Sequence, residues 1–183
     1  MAQNFMVIRG QRIINILNEA TYGELERNTM AFIPTSKKRQ YAVNPVQIAN
    51  LTLIPYAHNN ALECKALAHG ETGHYEPQMV FNEVQYEDED TPNNITFMGP
   101  DGQEYHIQPI SLAQNNVKVR CTCLDFRWRF AMYNDKAGSL YGPGPGVYQK
   151  RTNRPPNNPR GVPGLCKHLI KLGVELKTER VVR

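Results

Sequence analysis

Asn116-Val-Lys-Val-Arg-Cys121-Thr-Cys123, followed 42 residues later by Cys166-Lys-His168, decides how this chain is read. A tetrahedral zinc site takes four thiolate or imidazole ligands, and these two pairs supply four. The run from Asn116 alternates in polarity, which predicts a strand ending at the cysteines. On a strand Cys121 and Cys123 share a face while Thr122 points away, so the pair can pinch one ion. Cys166 and His168 are also two apart, but two such residues on a helix face different ways. They must therefore sit where a helix begins. Pro163-Gly164 supplies a turn, and Leu165, Leu169, Leu172 and Leu176 recur at the spacing of an amphipathic helix. Gly173 within that stripe weakens the helix by about 1 kcal/mol. The expected order is strand, knuckle, excursion, helix N-terminus.

The excursion has its own pattern. Leu124 to Tyr133 reads as helical and aromatic. Phe126, Phe130 and Tyr133 share a helical face and are expected in the core, with Arg127 and Arg129 elsewhere. The competing reading makes Phe126-Arg-Trp-Arg-Phe130 a stacking surface for single-stranded nucleic acid. From Tyr141 to Pro163 the text is dense in Gly, Pro, Asn and Arg, which predicts a long irregular excursion. Gly142-Pro-Gly-Pro-Gly146 is no phosphate cradle, because a cradle works through backbone N–H groups and proline has none. It reads instead as a stiff arm. Tyr141, Tyr148, Lys150, Arg151, Arg154 and Arg160 are its candidate partner-binding residues. All its charges are basic, so it should seek an acidic or phosphate-bearing surface. Glu87 to Asp90 on a sister chain, or a different subunit, would serve.

Upstream, Ile13, Ile14, Leu17 and Ala20 predict an amphipathic helix over Arg9 to Ala20. Tyr22 to Pro34 is ambiguous, and Lys37-Lys38-Arg39 reads as a solvated turn. Short strands are expected from Gln47 to Ile110. Leu51 to Tyr56 carries Pro55, which suits an edge. Met79 to Tyr86 is a second strand candidate, running into the polar loop Glu87 to Asp90. Ile95 to Ile107 is the clearest hairpin, around the turn Gly99-Pro-Asp-Gly102. Cys64 reads as a core residue. The fold class is therefore α+β: short antiparallel strands and hairpins, an N-terminal helix, and a C-terminal metal knuckle plus helix. Residues 1–116 form an acidic, β-rich body and residues 117–183 a basic metal-binding region with its arm at 141–163.

Charge follows that division. Residues 1–116 hold 7 Lys/Arg against 13 Asp/Glu, and residues 117–183 hold 14 against 4. The asymmetry fits an acidic partner, nucleic acid, or pairing between the halves. No window is apolar enough for a membrane span, and the N-terminus lacks the pattern of a secretory signal. Four cysteines in such a chain read as metal ligands before disulfides.

Catalytic readings fare worse. A catalytic zinc keeps an open position, usually with three protein ligands, whereas four ligands here close the shell. His69-Gly-Glu71 matches only half of the nucleobase deaminase signature, and His69 with His74 fails H-E-x-x-H. The chain is read as non-enzymatic. Two alternatives remain for the thiols: inert core cysteines, or an iron–sulfur centre recruiting Cys64.

Cys121-Thr-Cys123 with Cys166-Lys-His168 resembles the C-x-C…C-x-H pattern of the SWIM-type zinc finger, over the C-terminal third only and with a longer spacer. The resemblance implies Zn2+ held by all four residues in a compact ββα-like unit. More loosely, the block from Val119 to Leu172 is similar to virion structural proteins of tailed phages. That likeness implies a tail, baseplate or neck element located in the virion, with arms crossing between subunits. The expected function is a structural assembly protein whose zinc site fixes an interaction surface. The alternative is a nucleic-acid-binding zinc module.

Overall fold

The computed structural model describes residues 20–32, 46–70, 73–146 and 156–183. The architecture is α+β. Helix α1 spans Tyr22–Met30. Strands β1 (Gln47–Tyr56), β2 (Ala61–Gly70), β3 (Gly73–Tyr75), β4 (Pro77–Phe81) and β8 (Val117–Cys121) build one antiparallel sheet in the order β1-β2-β4-β8, with β3 also on β2. A small sheet, β5-β7-β6, holds β5 (Tyr86–Glu87), β6 (Ile95–Met98) and β7 (Glu104–Ile107). A π-helical segment, Phe126–Phe130, runs into α2 (Ala131–Lys136), and α3 (Lys167–Thr178) closes the fold.

The main sheet is amphipathic. Leu62, Cys64 and Ala66 on β2, Met79 and Phe81 on β4, and Val117, Val119 and Cys121 on β8 are buried on one face, as period-2 alternation requires. Helix α3 covers that face with Leu169, Leu172 and Leu176, each fully buried, preceded by Leu165. One hydrophobic cluster runs from Ala20 to Val182, so the acidic and basic segments share a core. The last residues join it: Ile110 N–H donates to Val181 O at 3.1 Å and Arg183 N–H to Ile110 O at 2.8 Å.

Several elements match the sequence pattern. The hairpin pairs Ile95 with Ile107 and Met98 with Glu104. Its turn closes with Gly102 N–H donating to Gly99 O at 3.0 Å, and Gly102 takes φ +77°, which glycine adopts without strain. Pro55 lies on the edge strand β1. The strand candidate Met79 to Tyr86 divides instead. Its backbone leaves the main sheet at Asn82, Glu83 adopts φ +59°, and Tyr86 enters the small sheet. The ambiguous stretch after Thr21 is a helix. Thr21 and Glu24 form a reciprocal capping box there, a T-x-x-E signature present in the sequence. The helix expected over Arg9 to Ala20 and the turn Lys37 to Arg39 lie outside the described residues, apart from Ala20. Among the described residues no helix is long and apolar enough to cross a membrane.

Candidate metal centre

β8 carries Cys121 to the sheet margin, where it faces Pro77. The next residue turns outward, and Thr122 Oγ1 accepts a hydrogen bond from Glu76 N–H at 2.9 Å. That contact fixes the knuckle between the two cysteines. Cys123 then lies at the mouth of a helical turn: Phe126 N–H donates to its Sγ at 3.3 Å and Arg127 N–H to its carbonyl at 3.1 Å. Helix N-termini favour negative charge, so a thiolate is suited to this position.

The second pair sits at the start of α3. Cys166 is the N-cap, in extended conformation, and His168 lies in the first turn. A buried polar network holds the chain that leads into it. Thr29 Oγ1 accepts from Leu165 N–H at 2.8 Å and donates to Leu25 O at 2.9 Å. Asn134 Nδ2 donates to Gly164 O at 2.9 Å, and Ser139 Oγ donates to Asn134 Oδ1 at 3.0 Å. Gly164 has to be glycine: a Cβ there would fall 2.6 Å from Thr29 Oγ1 and 2.7 Å from the Phe130 ring.

The result is one cluster. Cys121, Cys123, Cys166 and His168 offer ligand atoms that all lie within 4.8 Å of one another, and all four residues are buried. His168 Nδ1 is 3.8 Å from Cys121 Sγ and 4.0 Å from Cys166 Sγ. Bond lengths of about 2.3 Å to sulfur and about 2.0 Å to nitrogen put tetrahedral edges at roughly 3.6–3.8 Å. The residues therefore fit a single divalent ion, which His168 would hold through Nδ1, the nitrogen facing the sulfurs. Family models, curated proteins and solved structures yield no match to this chain.

The electrostatics of the thiols fit that role. Burial pushes Cys121 and Cys166 well above the usual thiol range. Cys123 is held far below it by hydrogen bonds, first from Cys121 and then from Cys166, with smaller help from His168 and the Phe126 N–H. Three thiolates cannot share so small a buried volume without a compensating cation, and a divalent ion bound here would supply that charge.

On its outer side the imidazole meets Tyr75, with ring centroids 4.4 Å apart and tilted 30°. Nε2 of His168 is buried and makes no hydrogen bond to any described residue. A Cβ on Gly70 would lie 3.4 Å from it. The β2–β3 hairpin thus roofs the site.

Cys64 lies apart from the cluster, fully buried on β2, and burial drives its thiol far above the usual range. His69 and His74 face each other across the hairpin, their rings 4.4 Å apart. They are not on one helix face, as H-E-x-x-H chemistry would need. In the aromatic segment Phe126 and Phe130 enter the core and Tyr133 is half-buried. The expectation for Arg129 is corrected: it is only 2% exposed. The wider π turn brings its guanidinium to Asp125 Oδ1 at 3.1 Å and 5.6 Å from the centre of the Phe130 ring.

Of the arm residues, two are engaged within the chain. Tyr141 Oη donates to Glu63 Oε2 at 3.1 Å, and Arg160 donates to Ala31 O at 3.1 Å. Arg120 binds the carbonyls of Tyr141 and Pro143, so both ends of the arm are anchored. Tyr148, Lys150, Arg151 and Arg154 lie outside the described residues. The supporting residues Thr29, Tyr75 and Asn134 carry no signal in the sequence. Thr122, lodged between two ligands and expected to point away from them, does carry a local signal, and its outward turn is observed.

Proposed function

We propose that this chain is a non-catalytic assembly subunit whose fold is locked by a structural zinc ion on Cys121, Cys123, Cys166 and His168. The observation that carries this reading is the closed, buried set of four donors gathered from β8, the following knuckle and the N-terminus of α3. Burial on all sides suits a structural ion better than a catalytic one, which needs access for substrate. The short nitrogen-to-sulfur separations suit one ion better than an iron–sulfur cluster, whose ligands spread over several metal atoms. The likeness to SWIM-type zinc fingers points the same way. The likeness to tailed-phage virion proteins favours a subunit of a large assembly, with the basic arm reaching a neighbouring chain.

Elemental analysis of purified protein tests the core of this reading. One zinc per chain is expected, lost in Cys121→Ser and His168→Ala together with thermal stability. Absence of stoichiometric metal would end the proposal, and iron with visible charge-transfer absorption would replace zinc by a cluster.

One observation favours the nucleic-acid reading. Leu124, Arg127 and Trp128 form an exposed face beside the metal centre, with the Arg127 guanidinium 5.0 Å over the indole. Weak, salt-sensitive binding fits a surface of this size. Nanomolar, sequence-selective binding at physiological salt, lost in Trp128→Ala, would reverse the preference.

A further inference from the structure

Where the two sheets meet, the chain leaves β4 through Asn82 and reaches β5 at Tyr86. A cleft of about 950 Å3 opens there, and the amide residues Asn59, Asn60, Asn82 and Gln85 line it together with Glu83, Tyr86 and Glu87. A smaller hollow of about 240 Å3 shares Glu83 to Gln85 with it and adds Gln108, Gln114 and Asn115. The larger cleft is shallow and open to solvent, which suits an extended ligand lying along the surface rather than an enclosed small molecule.

The walls are pre-shaped. Asn60 and Glu83 both adopt left-handed backbone conformations, φ +49° and +59°. For a residue such as glutamate that is uncommon, and strain of this kind gathers at functional sites. Val84 N–H donates to Asn60 O at 2.8 Å, which ties one strained residue to the other wall. Asn115 Nδ2 donates to the carbonyls of Asn82 and Glu83 at 2.9 and 3.1 Å. Gln108 Nε2 donates to Glu87 Oε1 at 2.7 Å. These groups hold the cleft. The side chains of Asn59, Asn60, Gln85 and Gln114, by contrast, make no hydrogen bond to any described residue.

The chemistry of the lining selects a ligand class. A primary amide presents a donor and an acceptor side by side, and a hydroxyl requires both. Glu83 and Glu87 line the larger cleft against the single cation Lys118, which disfavours a polyanion. Apolar side chains contribute little, because Val84 is itself buried. Tyr86 spends its hydroxyl on Ala61 O at 2.7 Å, leaving its ring as the apolar surface. From these features we propose that the cleft is a binding site for a neutral oligosaccharide. The amides address its hydroxyls, Glu83 accepts from neighbouring hydroxyl pairs, and Tyr86 lies against a sugar face. The site is independent of the metal centre.

The test is an NMR titration of the full chain with maltohexaose, cellohexaose and chitohexaose, with a heparin hexasaccharide as the anionic control. At least one neutral probe should shift the side-chain NH2 signals of Asn59, Asn60 and Gln85 saturably. In the double variant Asn60→Gly, Gln85→Ala the affinity should fall about tenfold or more, two hydrogen bonds being removed. Glycine keeps the left-handed turn, and an otherwise unchanged spectrum reports an intact fold. The proposal is overturned if no neutral probe shifts these signals at about 10 mM, a concentration that saturates even millimolar sites. It is equally overturned if, in the double variant, the remaining Asn59 signal still shifts with unchanged affinity, or if heparin produces the stronger response.

Discussion

Thr29 and Asn134 are the residues that aim Cys166. Thr29 satisfies the Leu165 N–H and Asn134 the Gly164 carbonyl, and both side chains are fully buried. Removing either leaves a buried backbone group unpaired, at about 1–3 kcal/mol. Such outer partners typically govern metal affinity by 10–100-fold. Thr29→Val and Asn134→Ala should therefore lower the melting temperature and weaken zinc in a chelator competition by roughly that factor. Unchanged zinc affinity with reduced stability would show that the network serves the core alone. Tyr56 and Tyr86 give a second residue-scale prediction. The hydrogen bond to Glu63 pushes Tyr56 up to about 12, and burial does the same for Tyr86. In the unfolded chain both titrate near 10. A raised folded pKa contributes stability that is complete below about pH 10 and is lost as pH rises through 12. Denaturation midpoints should fall across that window, and Tyr56→Phe with Tyr86→Phe should flatten the decline.

Among the elements, α3 shows how packing overrides propensity. Gly173 sits buried in its middle, where helix propensity favours alanine by about 1 kcal/mol. A Cβ there would meet Tyr22 Oη at 2.3 Å and its ring at 2.5 Å. The glycine is what lets α1 approach α3. Gly173→Ala should therefore destabilise, by about 1–3 kcal/mol as overpacking does, in spite of its better propensity. Tyr22→Leu should restore part of the loss in the double variant, and a stabilised Gly173→Ala in chemical denaturation would contradict this account. The same competition explains Arg129. An α-helical projection of Phe126 to Tyr133 places it away from the aromatic face, whereas the wider π turn rotates it inward to pair with Asp125. It also explains the divided strand after Met79. The hydrophobic run Met79-Val-Phe and Tyr86 serve two different sheets, and the bend at Glu83 is held by Asn115, a residue distant in sequence.

For the whole molecule, an ion held by the four residues would join β8 to α3 across a 42-residue spacer. The leucines of α3 are buried independently of it, so chelation should lower the melting temperature without abolishing the fold. The loss should be smaller than the roughly 10–16 kcal/mol of isolated zinc-finger peptides. Acid should oppose zinc more sharply. Burial raises Cys121 and Cys166, both of which must lose a proton to bind the ion. Zinc affinity should then fall about a hundredfold per pH unit on acidification, by mass action on two protons, as read by isothermal titration at several pH values. A pH-independent affinity would show that these thiols do not ligate. The arm is the remaining molecular feature. Arg120 and Arg160 anchor its ends, so replacing residues 147–155 by a short linker should leave zinc content and melting temperature unchanged. On the assembly reading the shortened chain fails to enter its complex, and normal incorporation would reduce the arm to a tolerated insertion.

The sequence by itself determined the α+β class, the hairpin at Gly99 to Gly102, the leucine stripe of α3 and the four candidate ligands. Each of these rests on local physics: alternation, turn chemistry, helical period, and the number of donors an ion requires. It also carries the capping box of Thr21 and Glu24, though the helix that follows reads ambiguously because its apolar stripe is short. Only the tertiary structure decided the rest. It placed Thr29, Asn134 and Tyr75 around the centre, turned Arg129 inward, and brought Asn60 to Val84 to shape a cleft. Those choices depend on packing between segments far apart in the chain, and residue order holds no periodic signal for a contact that forms only when two elements meet.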